Sequence, residues 1–102
     1  MSVHEIVRTS AVEGKQKELR AALEGMVKRF PQQEGCISAK ALQAVESEDP
    51  NVFFLIIEWV SVDAHLKWRD SKSEGRVWFI ENVRPFMSGQ NLTGHYIQYA
   101  EA

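Results

Sequence analysis

The chain has 102 residues, 44% hydrophobic and 25% charged, with a formal net charge of −2, which suits one domain spanning 1–102 whose core is too small for a deep private cavity unless a second subunit helps to wall it. Lys and Arg are scattered with no basic run, which argues against a nucleic-acid partner. No apolar run reaches membrane-spanning length, the opening MSVHEIVRTS carries no signal pattern, and the single Cys36 allows no intrachain disulfide, so no membrane partner and a reducing cytoplasmic setting are expected.

Residues 3–12 alternate imperfectly as a first strand, with Val3, Val7 and Thr9 on one side and His4, Ile6, Arg8 and Ser10 on the other. Glu13-Gly14 ends it. From Lys15 to Phe30 the period becomes helical: Leu19, Ala22, Leu23, Met26, Val27 and Phe30 form one apolar stripe. Gly25 interrupts it at a cost of roughly 1 kcal/mol relative to Ala, which points to close helix–sheet contact. Pro31 stops the helix. After a loop at 32–35, Cys36 to Val45 reads as a second strand rich in small residues.

Glu48-Asp49-Pro50-Asn51 is a turn signal. The most apolar run follows, Val52 to Trp59, too short for a core helix and rich in β-branched and aromatic residues. It predicts a central strand packed on both faces. Only Glu58 breaks the run, and a carboxylate beside a buried tryptophan must reach solvent, a partner or a ligand. Ser61 then fits an N-cap, with Asp63 in the first turn of a helix carrying His65, Leu66, Trp68 and Arg69. Ser71 and Glu74 fit a capping box for another helix, which runs to about Arg84. That helix is apolar nearly all round (Val77, Trp78, Phe79, Ile80, Val83), so it touches more than its own sheet. Ser88-Gly89-Gln90-Asn91 is a turn, and Leu92 to Tyr99 a last strand with His95 and Tyr96 on opposite sides. The order is the split βαβ arrangement of a ferredoxin-like α+β domain, a four-stranded antiparallel sheet with helices on one face.

His4, Cys36, His65 and His95 fit no zinc spacing, and there is no glycine-rich phosphate cradle and no nucleophile elbow. Chemistry therefore has to suit an apolar pocket with a few polar groups. Trp59, Trp68 and Trp78 are either core and interface residues or the walls of a flat aromatic slot. His65, six residues beyond Trp59, is a candidate proton donor or acceptor. Glu58 is the other candidate proton-transfer group. Arg8 either lines a polar pocket or faces water.

Five segments together resemble the antibiotic biosynthesis monooxygenase domain: EGK at 13–15, EGC at 34–36, DPN at 49–51, IIEW at 56–59 and SVDAHL at 61–66. The resemblance implies a homodimeric α+β barrel, two four-stranded sheets face to face, with a pocket between sheet and helices in each subunit. It also implies oxidation of a small aromatic, quinol or polyketide-like substrate by dioxygen, with no flavin, metal or haem cofactor. The substrate anion reduces oxygen directly, and the protein supplies orientation, a base and a dry pocket.

On this resemblance His65, Trp59 and Glu58 are the catalytic candidates, and Trp68, Trp78, Leu55, Arg8 and Tyr96 the substrate-binding ones. Leu55 stands where a related enzyme has a pocket asparagine. A sister group degrades haem. Trp68 matches its tryptophan, but Val7 replaces its asparagine and Trp78 its haem-ligating histidine, which argues against haem degradation here. A non-oxidative isomerase-like enzyme and a non-catalytic ligand-binding dimer stay open on the same scaffold.

Overall fold

The computed structural model describes residues 1–45, 49–89 and 91–102. Four strands, β1 (Val3–Ser10), β2 (Cys36–Gln43), β3 (Val52–Trp59) and β4 (Leu92–Tyr96), form one antiparallel sheet in the order β2-β3-β1-β4. Three helices, α1 (Gln16–Arg29), α2 (Val62–Arg69) and α3 (Glu74–Asn82), cover one face. This is the expected ferredoxin-like α+β fold. Among the described residues no helix is long and apolar enough to cross a membrane.

Strand alternation decides which side chains meet the helices. On β3 the odd residues Phe53, Leu55, Ile57 and Trp59 are buried, and on β1 Glu5, Val7 and Thr9 are. Opposite them, Leu19, Leu23, Met26 and Phe30 of the α1 side close the core. The even residues Phe54, Ile56 and Glu58 are only half-buried, so the chain alone covers β3 on one face, not both. Burying a side chain such as Leu19 or Ile57 contributes roughly 2 kcal/mol, so the odd set anchors the register.

Local chemistry sets the element ends. Pro31 opens a single 3₁₀ turn, Phe30–Gln32, that terminates α1. Gly35, at φ +83°, turns the chain into β2; a side chain there would also meet Ala64 Cβ at 2.8 Å. Asp49 accepts from the Asn51 amide at 3.0 Å to make the turn before β3. Glu48 of that turn and Gln90 of the turn before β4 lie outside the described residues.

Three details differ from the sequence reading. Ser73, not Ser71, caps α3, accepting from the Arg76 amide, while Ser71 donates its hydroxyl to Trp68 O. The strand β4 ends at Tyr96, three residues early. Gly25 makes room for a helix, not the sheet: an added Cβ would lie 2.9 Å from the Trp78 ring of α3.

Candidate functional site

The end of β3 and the start of α2 form a polar knot inside an aromatic corner. Trp59 is the last residue of β3, and its register partner is Val3, so Glu5 is its diagonal neighbour on the buried face. Glu5 in turn stands directly opposite His95 of β4. Ser61 caps α2 through the Ala64 amide at 3.1 Å, and this start brings His65 down over both strands.

The contacts are specific. Trp59 Nε1 donates to Glu5 Oε1 at 3.0 Å, Glu5 Oε2 lies 3.2 Å from His65 Nε2, and His65 Nδ1 lies 2.7 Å from His95 Nε2. Glu5 and His65 are 9% and 7% exposed, whereas His95 is exposed. The imidazole of His65 stacks on Trp59, with centroids 5.3 Å apart and planes at 27°. Trp68 and Phe30 close the cluster at 5.6 and 6.2 Å from the Trp59 ring.

Glu5 and His65 are close enough for an ion pair, yet burial drives both toward neutrality. Desolvation raises the Glu5 pKa above its ordinary 4.5, opposed by the Trp59 hydrogen bond and by Arg76 and Arg69. Desolvation also pushes His65 down to about 4, with repulsion from His95, Arg69 and Arg76 adding to it. His65 is therefore an uncharged imidazole near neutral pH, not a group titrating there. Burial thus disfavours the charge-separated pair of a Glu5 carboxylate with a His65 imidazolium.

Positive charge surrounds this neutral corner. Arg76 of α3 lies over Trp68 and Phe79, its guanidinium carbon 5.4 and 5.7 Å from their ring centres. Among the described residues its buried Nε has no hydrogen-bond partner. Burial lowers the Arg76 pKa, and repulsion from Arg84 and Arg69 lowers it further, while Glu5 opposes. Arg76 thus bears on the corner through its charge, its Nε being buried away from solvent.

The residues singled out in the sequence fall into two groups. Trp59, His65, Trp68 and Leu55 share the buried face, with Leu55 two residues below the Ile57 level and 3% exposed. Glu58 points to the opposite face, where Ser2 Oγ donates to it at 2.6 Å and Ser38 Oγ at 3.4 Å. Arg8 and Tyr96 also belong to that helix-free face. Trp78 packs between α1 and α3 under Arg29, whose guanidinium is 3.9 Å from its ring. Cys36 is half-buried at the start of β2, and burial pushes its thiol up to about 11, far from a reactive thiolate.

Glu5, His95 and Arg76 were not singled out in the sequence. A signal for Glu5 existed, since it sits between Val3 and Val7 on the apolar side of β1. The His65–His95 pairing and the Arg76 position depend on how α2, α3 and β4 close over one another, which spacing does not report.

A separate cleft of about 470 Å³ opens between the turn before β2 and α2, lined by Gln33, Gly35, Val60, Ala64, Trp68 and Ser73 among others. Trp68 is the wall it shares with the corner, its Nε1 donating to Gln33 Oε1 at 3.0 Å. His65, Glu5 and His95 do not line it.

A four-stranded antiparallel sheet with three helices on one face defines the class: a ferredoxin-like α+β domain. The antibiotic biosynthesis monooxygenase family model matches residues 2–77, and the chain belongs to that family. Solved structures of the same fold include a candidate antibiotic biosynthesis monooxygenase from Bordetella bronchiseptica (TM-score 0.84, 19% identity, 97% of this chain and 98% of that one). Another is Rv0793 from Mycobacterium tuberculosis (0.76, 20%, 100% and 99%). A third is a single-substitution variant of SnoaB, a cofactor-independent oxygenase from Streptomyces nogalater (0.75, 17%, 98% and 95%). No curated protein matches the chain.

Proposed function

We propose that this protein is a cofactor-independent monooxygenase that removes a proton from a small aromatic, quinol or polyketide-like substrate and lets dioxygen attack the resulting anion. The observation that carries the reading is the neutral His65, held between Glu5 and His95 beside Trp59 and flanked by Arg69 and Arg76. A proton entering at the exposed His95 can pass along this chain without making His65 a cation, and nearby cations favour the substrate anion over its parent acid.

The reaction balances without any other redox partner. A ring CH2 loses a proton to the base, the carbanion adds dioxygen to give a peroxide anion, and the base returns the proton. The hydroperoxide then loses water, leaving C=O, so one oxygen atom enters the product and the other leaves as water. Trp68 supplies flat apolar surface, with Trp59 packed against it, and Arg76 supplies charge over the Trp68 face. The corner is filled by its own side chains, Trp59 being 0% exposed, so substrate approaches from the exposed His95 side. In this reading His65 and Trp59 act at the corner with Trp68 as a wall, while Glu58, Arg8 and Tyr96 serve the helix-free face.

That face carries Ile6, Leu42, Phe54, Ile56, Leu92 and Tyr96, so all four strands contribute aromatic or branched surface that the chain's own helices leave uncovered. We read it as the homodimer contact of a cytoplasmic protein. The function is tested with an oxygen electrode and a panel of naphthols, anthrones and quinols. Uptake matched by ketone or quinone formation supports it. Tight binding across the panel without uptake favours a binding module, and rearranged product without uptake favours an isomerase.

A further inference from the structure

We propose that Glu5, His65 and His95 form a two-step proton relay in which the exposed His95 takes the substrate's proton and Glu5 stores it, His65 changing tautomer as it passes. This rests on the functional reading above for its substrate, but the relay itself is a property of the resting protein.

The geometry leaves little else for His65 to do. Both of its ring nitrogens are engaged, Nε2 with Glu5 at 3.2 Å and Nδ1 with His95 at 2.7 Å. It therefore has no nitrogen free to touch a substrate. Glu5 is equally committed, one oxygen to Trp59 and the other to His65. The open end of the chain is His95, exposed on β4, whose Nε2 meets His65 and whose remaining ring nitrogen is Nδ1.

The protons can be followed. In the receiving state Glu5 is a carboxylate, His65 carries its hydrogen on Nε2 and donates to Glu5, and His65 Nδ1 accepts from His95 Nε2. When His95 Nδ1 takes a proton, His95 passes the one on Nε2 to His65 Nδ1, and His65 passes its Nε2 proton to Glu5 Oε2. Afterwards Glu5 is a neutral acid, His65 a neutral Nδ1–H tautomer, and His95 a neutral imidazole again. Two protons have moved one bond each, and one unit of charge has crossed from the surface to the interior. His65 is never left as an imidazolium.

The surroundings keep His65 uncharged and leave Glu5 balanced between its two forms. Burial, His95, Arg69 on α2 and Arg76 on α3 oppose a cation at His65 and Asp70 favours one, while burial favours the Glu5 acid and Trp59, Arg76 and Arg69 favour its carboxylate. A positive charge is thus cleared from the corner once it has been accepted, and the proton is kept dry for return to the peroxide. Glu5 and His95 become catalytic or positioning groups that no sequence motif marks.

The decisive experiment is ¹⁵N NMR of histidine-labelled protein, titrated from about pH 8 to about pH 5. The relay predicts that His65 stays neutral while its proton moves from Nε2 to Nδ1, and that Glu5→Gln abolishes the switch, because an amide cannot take the proton. A single fixed tautomer throughout, or an imidazolium at His65 near pH 6, would overturn it. With a turned-over substrate, His95→Gln should lose roughly 100-fold in kcat with little change in KM, and added imidazole should restore part of it; an unaffected kcat removes His95 from the path. If no substrate turns over, the functional reading fails while the NMR result still decides the relay.

Discussion

His65 and His95 are 30 residues apart in the chain and 2.7 Å apart in space, Nδ1 to Nε2. One is buried on α2 and the other exposed on β4. Their contact joins the interior of the sheet–helix sandwich to its surface through a single hydrogen bond. Several properties should depend on that junction and on the Glu5 carboxyl behind it.

Stability should respond to pH through two opposed groups. Below about pH 6.5 the unfolded chain binds a proton at His65 that the folded one excludes down to about pH 4. That contribution, on the order of 3 kcal/mol, is lost as pH falls through this window. Glu5 acts the other way. Its raised folded pKa gives a contribution that is full below about 4.5 and lost as pH rises through the folded value. The two offset in the native protein. In Glu5→Gln only the histidine remains, so Tm should climb more steeply between pH 4 and 6.5 than in the wild type. Parallel Tm profiles would contradict this.

Trp59→Phe removes the indole N–H that donates to Glu5 while keeping most of the ring volume. The buried carboxyl then lacks one donor, at a cost of about 1–3 kcal/mol. The Glu5 pKa should rise further, since that bond opposes the rise. Chemical denaturation gives the first quantity and ¹³C carboxyl shifts the second. A denaturation midpoint equal to the wild type would show the hydrogen bond to be dispensable.

Arg76→Met should separate stability from activity. The guanidinium has a buried Nε with no partner among the described residues, so its replacement by an apolar chain should change stability by less than about 1 kcal/mol. With a substrate that turns over, kcat/KM should fall by roughly tenfold or more, because a cation facing the substrate anion is lost. The His65 pKa should move up from about 4, visible by NMR. Full activity with an unmoved His65 would detach Arg76 from the site.

The helix-free face predicts a homodimer. Phe54 and Ile56 lie at its centre on β3, between Leu42 of β2 and the β1 residues Ile6 and Arg8. A charge at the middle of such an apolar contact is uncompensated, so Ile56→Lys should shift the protein from dimer to monomer mass in sedimentation. A wild-type monomer would sink the barrel.

The alternations in β1 and β3, the α1 stripe and the Ser61 cap made the fold legible, because each is a local pattern tied to one face. The aromatic corner was half legible: Trp59 and His65 are six residues apart, within reach of a strand end and the helix it feeds. Glu58 drew attention as the one carboxylate in the apolar run. Counting two residues per pleat puts it on the far side from His65, and the same counting puts Glu5 on the near side. His95 and Arg76 were not legible, since their place depends on β4 pairing with β1 and on the angle at which α3 closes over Trp68.

The central claim is that this corner removes a proton from its substrate before oxygen reacts. The most direct measurement mixes protein and an anthrone or naphthol under anaerobic conditions and follows the absorbance of the substrate anion. The account predicts that the anion accumulates on the wild-type protein below the free substrate's own pKa and is absent with His65→Ala. Equal anion with both proteins, or none with either while oxygen uptake proceeds, would contradict it.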